Sequence, residues 1–329
     1  MKVAEIENEI LVIKNRDDEV LNGRKGAIVK VLGCGLCGSD IVKLKHKLVK
    51  DGTVLGHEIV AQIIEIDSET NFKNGDVIVT SHHIPCGKCE YCKNGNVSMC
   101  RHFKETNIKP GGFSELVFVS DEHLQNVAYI KPENLTDEEA SFYEPLGCCV
   151  RAVKRASLRE NSTVLVIGLG SIGIIMAQAL KAYGMNVIGC DLILSRVQIL
   201  RNLGIEAFTL NEMCESIKAD AVFMTSGSDK AIETALKFVR DGGKILVFSS
   251  TPQNFGYANN EIYYRELTVL GSYSPSPKDL KDSLELLATK QVKVNGLSTV
   301  YPLENVQKAI NDTVENKILK AYIKVNKKG

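Results

Sequence analysis

The chain has 329 residues, which is long for a single core, so two domains are the default expectation. Its 40 basic residues balance 40 acidic ones, which leaves no electrostatic footprint for nucleic acid or an anionic membrane. No apolar run approaches the roughly 20 residues that span a bilayer. The N-terminal MKVAEIENEILVIKNRDDEV lacks an apolar h-region, so a cytoplasmic protein is expected.

Up to about residue 135 the chain reads as short strands separated by turn residues. GAIVKVLGC (26–34), HEIVAQIIEI (57–66), GDVIVT (75–80) and GFSELVFVS (112–120) are rich in β-branched residues. Asp51-Gly52 and Asn74-Gly75 punctuate them, as in a β-barrel or sandwich. A helical signal in this half is confined to the stretch after Cys37.

Within it lies SHHIPCGKCEYCKNGNVSMC, which places Cys86, Cys89, Cys92 and Cys100 close together. In a reducing compartment structural disulfides are not expected. The C-x2-C-x2-C-x7-C spacing is too tight for two relaxed disulfides, yet it suits four thiolates around one tetrahedral ion, for which zinc is the usual occupant. A shell closed by four sulfurs has no position for a substrate, so this lobe (86–100) is expected to be structural. Its other residues, Lys88, Glu90, Lys93, Asn94, Gly95 and Asn96, are too polar to fold it without a metal.

At Thr136 the texture changes. TDEEASFYEPLGCCVRAVKRA opens with a capping box, Thr136 to Glu139, and continues at helical spacing. Strand-like and helix-like segments then alternate from TVLVIG to LTVLGSY, the pattern of a doubly wound parallel sheet. Two further helical segments, SPKDLKDSLELLATK and LENVQKAINDTVEN, precede a last strand, LKAYIKV.

Gly168-x-Gly170-x-x-Gly173 sits between the first of these strands and its helix. Asp191 closes the next strand, as in a dinucleotide-binding fingerprint. Gly168 permits the tight turn, Gly170 a close approach to the pyrophosphate, and Gly173 close helix–strand packing. The helix start, including Ser171 and Ile172, offers N–H groups to the phosphates. Asp191 suits the ribose hydroxyls and repels a 2′-phosphate, which predicts NAD. Arg196 is the complication, because a nearby arginine can accommodate that phosphate. A plainer reading makes Asp191 a helix cap near Ser195.

Cys34, Cys37, His57, Glu58, Glu144, Cys148 and Cys149 remain as scattered candidate ligands. Each also has a bland reading: Cys34 as a strand core residue, Cys148 and Cys149 as helix packing, His57 as a bonded strand histidine, Glu144 as a surface helix residue. Spacing alone does not establish a second metal.

GLCGSD, GHE, the four-cysteine lobe, EPL and the glycine fingerprint with its Asp occur in the order found in zinc-dependent medium-chain alcohol dehydrogenases. The chain resembles that family over essentially its whole length. Ser39 after CG, and EPL, are similar to the polyol and sugar-alcohol dehydrogenase branch, with threonine dehydrogenase a close cousin. The resemblance implies a GroES-like catalytic domain over 1–147 and 273–329 and a Rossmann NAD-binding domain over 148–272. It implies two zinc ions per chain, the catalytic one held by Cys37, His57 and Glu144. Glu58 matches a glutamate that either stands behind the ligands or ligates directly, and Asp40 a residue that orients them. Ser39 would take up the alcohol proton. Relatives are commonly dimers or tetramers, so a homo-dimer or homo-tetramer is implied.

One departure matters. Many relatives carry a histidine where this chain has Val42, so the outer half of the proton relay is missing; His46, one helical turn on, is a candidate substitute. The activity expected is oxidation of a secondary hydroxyl of a polyol or similar small alcohol with NAD. The alternatives are a primary-alcohol or aldehyde enzyme of the same fold, or a zinc- and nucleotide-binding regulator without turnover.

Overall fold

The computed structural model describes residues 1–249 and 259–326. Two compact units emerge: Met1–Pro145 with Ser276–Ala288 and Val294–Gly329, and Leu146–Pro275 with Thr289–Lys293. The expected boundaries at 147/148 and 272/273 therefore shift by a few residues. The short segment 289–293 also joins the second unit, which the sequence did not signal.

The first unit opens with a hairpin of β1 (Lys2–Glu7) and β2 (Ile10–Asn15), turned by Asn8 and Glu9 at φ 51° and 67°. Its main sheet contains β3 (Gly26–Gly35), β4 (Glu58–Asp67), β5 (Val77–Thr80), β6 (Leu116–Ser120) and β7 (Ala128–Ile130). Only the second half of the predicted strand 112–120 pairs as β6. Inward-facing Val29, Val31, Ile59, Ala61, Ile63 and Val117 form the core, as alternating β-branched strands require. The helix Gly38–Lys45 follows β3 directly, where the sequence placed its helical signal.

The predicted helix from Thr136 is in fact two, Asp137–Ala140 and Tyr143–Ala156. The capping box is present, with Glu139 N–H donating to Thr136 Oγ1 and Thr136 N–H to Glu139. Pro145 explains the break. Its ring would collide with the carbonyl four residues back, at Ser141, so the first helix stops and the second takes the proline into its first turn.

In the second unit β8 (Thr163–Ile167), β9 (Asn186–Asp191), β10 (Glu206–Thr209), β11 (Ala219–Met224), β12 (Val239–Val247) and β13 (Thr268–Gly271) form one parallel sheet. Their order, β10-β9-β8-β11-β12-β13, reverses between β8 and β11, the switch point of a doubly wound fold. Val164, Leu165 and Val166 are fully buried, as expected for strands covered on both faces.

The chain then returns to the first sheet with β14 (Ser298–Pro302) and β15 (Lys320–Lys324). β15 pairs antiparallel with β3, setting Tyr322 opposite Gly35, while β4 sets Glu58 opposite the same glycine. Three strand ends thus meet beside Cys37. Among the described residues no helix is long and apolar enough to cross a membrane.

Candidate metal centres and dinucleotide site

Donor atoms of Cys86, Cys89, Cys92 and Cys100 all lie within 4.8 Å of one another. Sulfur separations are 3.6 Å for Cys89–Cys92 and 4.0 Å for Cys86–Cys92. A tetrahedral ion with Zn–S bonds of about 2.3 Å needs sulfurs roughly 3.8 Å apart, so the set fits zinc. Short helices, Glu90–Lys93 and Arg101–Glu105, carry the loop around the cluster. Burial pushes the Cys100 thiol up, but backbone N–H groups of Cys86 and Phe103 outweigh it and hold the pKa at about 6. Burial and the neighbouring Cys89 push Cys92 up to about 12.

A second group gathers Cys37, His57 and Glu58, again with donor atoms within 4.8 Å. Cys37 precedes the helix Gly38–Lys45, and Asp40 in its first turn accepts the Cys37 N–H at 3.2 Å. The other oxygen of the fully buried Asp40 lies 3.4 Å from His57 Nδ1, which leaves Nε2 as the ligating nitrogen. Burial works against a charged His57, yet the Asp40 carboxylate and Cys37 sulfur prevail and hold its pKa well above the ordinary range.

Glu58 is buried at the start of β4, and its Oε1 has no hydrogen-bond partner. Its Oε2 lies 2.5 Å from Nζ of the buried Lys320, which also donates to the Leu36 carbonyl at 3.3 Å. Gly35 makes room for the pair: a Cβ there would stand 1.9 Å from Glu58 Oε2. An orphaned carboxylate oxygen beside a thiol and an imidazole is the donor set of an open zinc site.

Glu144 is buried in the first turn of Tyr143–Ala156, but it is not part of the converging group. Cys34 is a core residue of β3, as its plainer reading had it. Ser39 is exposed beside Cys37, and His46 is an exposed residue at the helix C-terminus. Sequence reasoning missed Lys320 and also His82. The His82 ring is buried 4.5 Å from that of His57, with Nδ1 unpartnered. No local signal marks either, because only strand pairing brings them in.

In the second unit, the turn after β8 is built as the fingerprint requires. Gly168 has φ 92°, and a Cβ on Gly173 would stand 1.8 Å from the Gly168 carbonyl oxygen. A Cβ on Gly170 would meet nothing within 4 Å, which is the open approach a pyrophosphate needs. Gly170 is the N-cap of Ser171–Ala182 and supplies no side-chain cap, so Ser171 and Ile172 present their N–H groups. Asp191 accepts from Leu169 N–H at 2.5 Å and from Ile193 N–H at 2.8 Å. It therefore props the glycine turn; the plainer reading as a helix cap does not hold, because the helix Leu194–Asn202 has Ile193 as its N-cap and no side-chain cap. Arg196 Nη1 is 3.8 Å from Asp191 Oδ2.

Residues 23–129 match the alcohol dehydrogenase GroES-like domain family, and residues 171–289 the zinc-binding dehydrogenase family. The D-arabitol-phosphate dehydrogenase of Enterococcus avium is 28% identical, over 97% of this chain and 93% of that one. The sorbitol dehydrogenase of Halalkalibacterium halodurans is 29% identical, over 92% of each. The crystal structure of galactitol-1-phosphate dehydrogenase from Escherichia coli shares the fold, with TM-score 0.86 at 22% identity over 98% of this chain and 100% of that one. With both halves matched in order, and with the four-sulfur cluster and the Cys37–His57–Glu58 group each in place, the chain belongs to the zinc-dependent medium-chain alcohol dehydrogenases.

Proposed function

We propose that the protein oxidises a secondary hydroxyl of a polyol with NAD, using one zinc in the Cys37–His57–Glu58 group and a second in the four-cysteine lobe. The observation that carries this reading is the convergence of a thiol, an imidazole and an orphaned carboxylate oxygen, with Asp40 fixing the imidazole from behind. The relatives named for sorbitol and arabitol phosphate support the polyol class.

When bound, zinc supplies Lewis acidity to the substrate oxygen and NAD the carbon that accepts hydride. Cys37 and His57 would hold the metal. Asp40 binds the Cys37 backbone and the His57 ring together, so the two ligands move as one. Glu58 is the carboxylate at hand, while Glu144, buried in the first turn of Tyr143–Ala156, lies outside the converging group. Ser39 takes the alcohol proton. Its hydroxyl donates as it accepts and so passes the proton on without charging. Because Ser39 is exposed, water can receive that proton directly, and the histidine replaced by Val42 is not required.

Asp191 supports NAD over NADP, since a carboxylate at the end of β9 suits ribose hydroxyls and repels a 2′-phosphate, and Arg196 is already turned to it. A cytoplasmic homo-dimer or homo-tetramer belongs to the same reading. It is supported by the edge strand β13, paired on one side only among the described residues, with Val269 exposed.

The test is zinc analysis together with NADH formation on a panel of alditols. About two ions per chain and turnover with NAD at least tenfold better than with NADP are expected. A single ion confined to the cysteine lobe, with no turnover, would favour the regulatory alternative. Turnover confined to primary alcohols or aldehydes would favour the other enzyme reading.

A further inference from the structure

One buried nitrogen beside the metal group is left unused by the protein. Where β4 pairs with β5, Ile59 stands opposite Thr80. Carried two residues past that pair, the same antiparallel register sets His57 against His82. The two rings do meet there, with centroids 4.5 Å apart. His82 is only 9% exposed, yet its Nδ1 has no hydrogen-bond partner among the described residues. Leaving a buried polar atom unpaired is costly, so an orphan of this kind calls for a partner from outside the chain.

The rest of His82 is held firmly. Its backbone carbonyl accepts from His123 Nε2 at 3.1 Å, and His123 Nδ1 is bound in turn by Ser120 Oγ at 2.7 Å. On its other side the His83 ring lies 3.9 Å away, centroid to centroid. His83 itself packs 4.8 Å from Phe103, and its Nδ1 donates to the Thr106 carbonyl. The His82 ring is thus wedged between two others, with its free nitrogen fixed in place before any ligand arrives. The metal is not the missing partner, because the group of close donor atoms contains Cys37, His57 and Glu58 but not His82. Burial holds the His82 pKa well below 6.5, so the ring is neutral. A neutral imidazole nitrogen pairs with a hydroxyl, as donor or acceptor according to the tautomer, and has no need of an anion.

From this geometry we propose that His82 determines specificity: its Nδ1 hydrogen-bonds the substrate hydroxyl on a carbon next to the one being oxidised. The proposal rests on the dehydrogenase reading above and adds to it the group that recognises a second hydroxyl. A hydroxyl held at the Cys37–His57–Glu58 group lies against one ring of a touching pair. The hydroxyl on the adjacent carbon is then within reach of the other ring.

The test is a cycle between protein and substrate, run on the zinc-loaded full-length enzyme with NAD. The substrates are an alditol that the wild type oxidises and two deoxy analogues, each lacking the hydroxyl on one carbon flanking the reacting one. With the wild type, one analogue should lose about 10- to 100-fold in kcat/KM, the span of a buried hydrogen bond left unmade. His82→Phe keeps a ring against His57 but removes the nitrogen. It should cost the alditol a similar factor, mainly through KM, and cost that analogue far less. His82→Asn, which returns a polar group near the Nδ1 position, should recover part of the discrimination. Circular dichroism and a zinc content of about two ions per chain should match the wild type in both variants. Equal losses on alditol and analogue in His82→Phe would show a ring that only supports His57, and would overturn the proposal. Full discrimination retained in His82→Phe would overturn it as well, leaving Nδ1 to a bound water. So would a wild type indifferent to both missing hydroxyls, a result that needs no variant to fold. No turnover of any alditol by the wild type would sink the dehydrogenase reading, and this proposal with it.

Discussion

Replacing Lys320 with methionine probes the buried charge pair that underlies the metal group. Lys320 and Glu58 are 4% and 1% exposed, and their charged atoms are 2.5 Å apart. At an effective dielectric of about 20 their attraction is roughly 7 kcal/mol, against a desolvation cost of several kcal/mol for each ion. The intact pair therefore adds little net stability. Removing one member leaves the other charged, buried and alone, which costs about 3–5 kcal/mol. Burial opposes the charged lysine, but Glu58 and Cys37 raise its pKa above the ordinary 10.5. The sign follows: its contribution is complete below about 10.5 and fades only as pH rises through the raised value, so neutral buffer is suitable. The chain has no Trp, so urea unfolding of the zinc-free protein is best followed by far-ultraviolet circular dichroism. With m near 2–3 kcal/mol/M the midpoint should drop by about 1–2 M. Glu58→Gln alone should cost a similar amount, whereas Lys320→Met with Glu58→Gln should return to within about 1 kcal/mol of wild type. A loss below about 1 kcal/mol in the single variant, or additive losses in the double, would refute the reasoning.

Cys37→Ser should abolish turnover and lower zinc from about two ions to one, with little change in fold, whereas Cys100→Ser should loosen the lobe of residues 86–100. Limited proteolysis beside metal analysis separates the two, and equal loss of fold from both would be the contrary result. Gly170→Ala should leave the melting temperature within a degree or two yet raise KM for NAD about tenfold or more, because its Cβ meets no protein atom but enters the pyrophosphate path. Gly173→Ala should instead destabilise the unit itself, since its Cβ would stand 1.8 Å from a carbonyl oxygen. For the cysteine lobe, Cys100 has its pKa depressed from 9.0 to about 6, so its contribution is present above pH 9 and is lost as pH falls through about 6. Zinc affinity of the metal-free lobe, followed with a colorimetric chelator, should therefore weaken as pH falls, because its thiols must lose their protons to bind.

The legible parts of this fold are those whose cause is local. Strands β3, β4, β8, β9 and β12 announce themselves through their Val and Ile residues. The glycine turn and the four-cysteine lobe do so through fixed spacing, and the helix after Cys37 through its position behind β3. The misread parts have non-local causes or conflicting local ones. A sound capping box at Thr136 and an apolar pattern running through Tyr143 argued for one helix, and the steric demand of Pro145 on Ser141 overrode them. β14 was missed because its five residues carry no alternating pattern and end in proline.

The metal group shows why a site is harder to read than a fold. Cys37, His57 and Glu58 stand out because short motifs flank them, but what makes them a site is the pairing of β3 with β4 on one side and β15 on the other. That register brings Lys320, from nearly the end of the chain, against Glu58, from nearly its beginning. A lysine in LKAYIKV looks like any edge-strand lysine until its neighbours are known. Its burial changes the meaning of Glu58, which is at once the ion partner of a lysine and the bearer of an oxygen still open to a metal. The tension between those two roles is a property of the three-strand junction and of no single motif. For that reason the Lys320 and Glu58 variants, read together, test the architecture of the site more directly than substitution of any ligand.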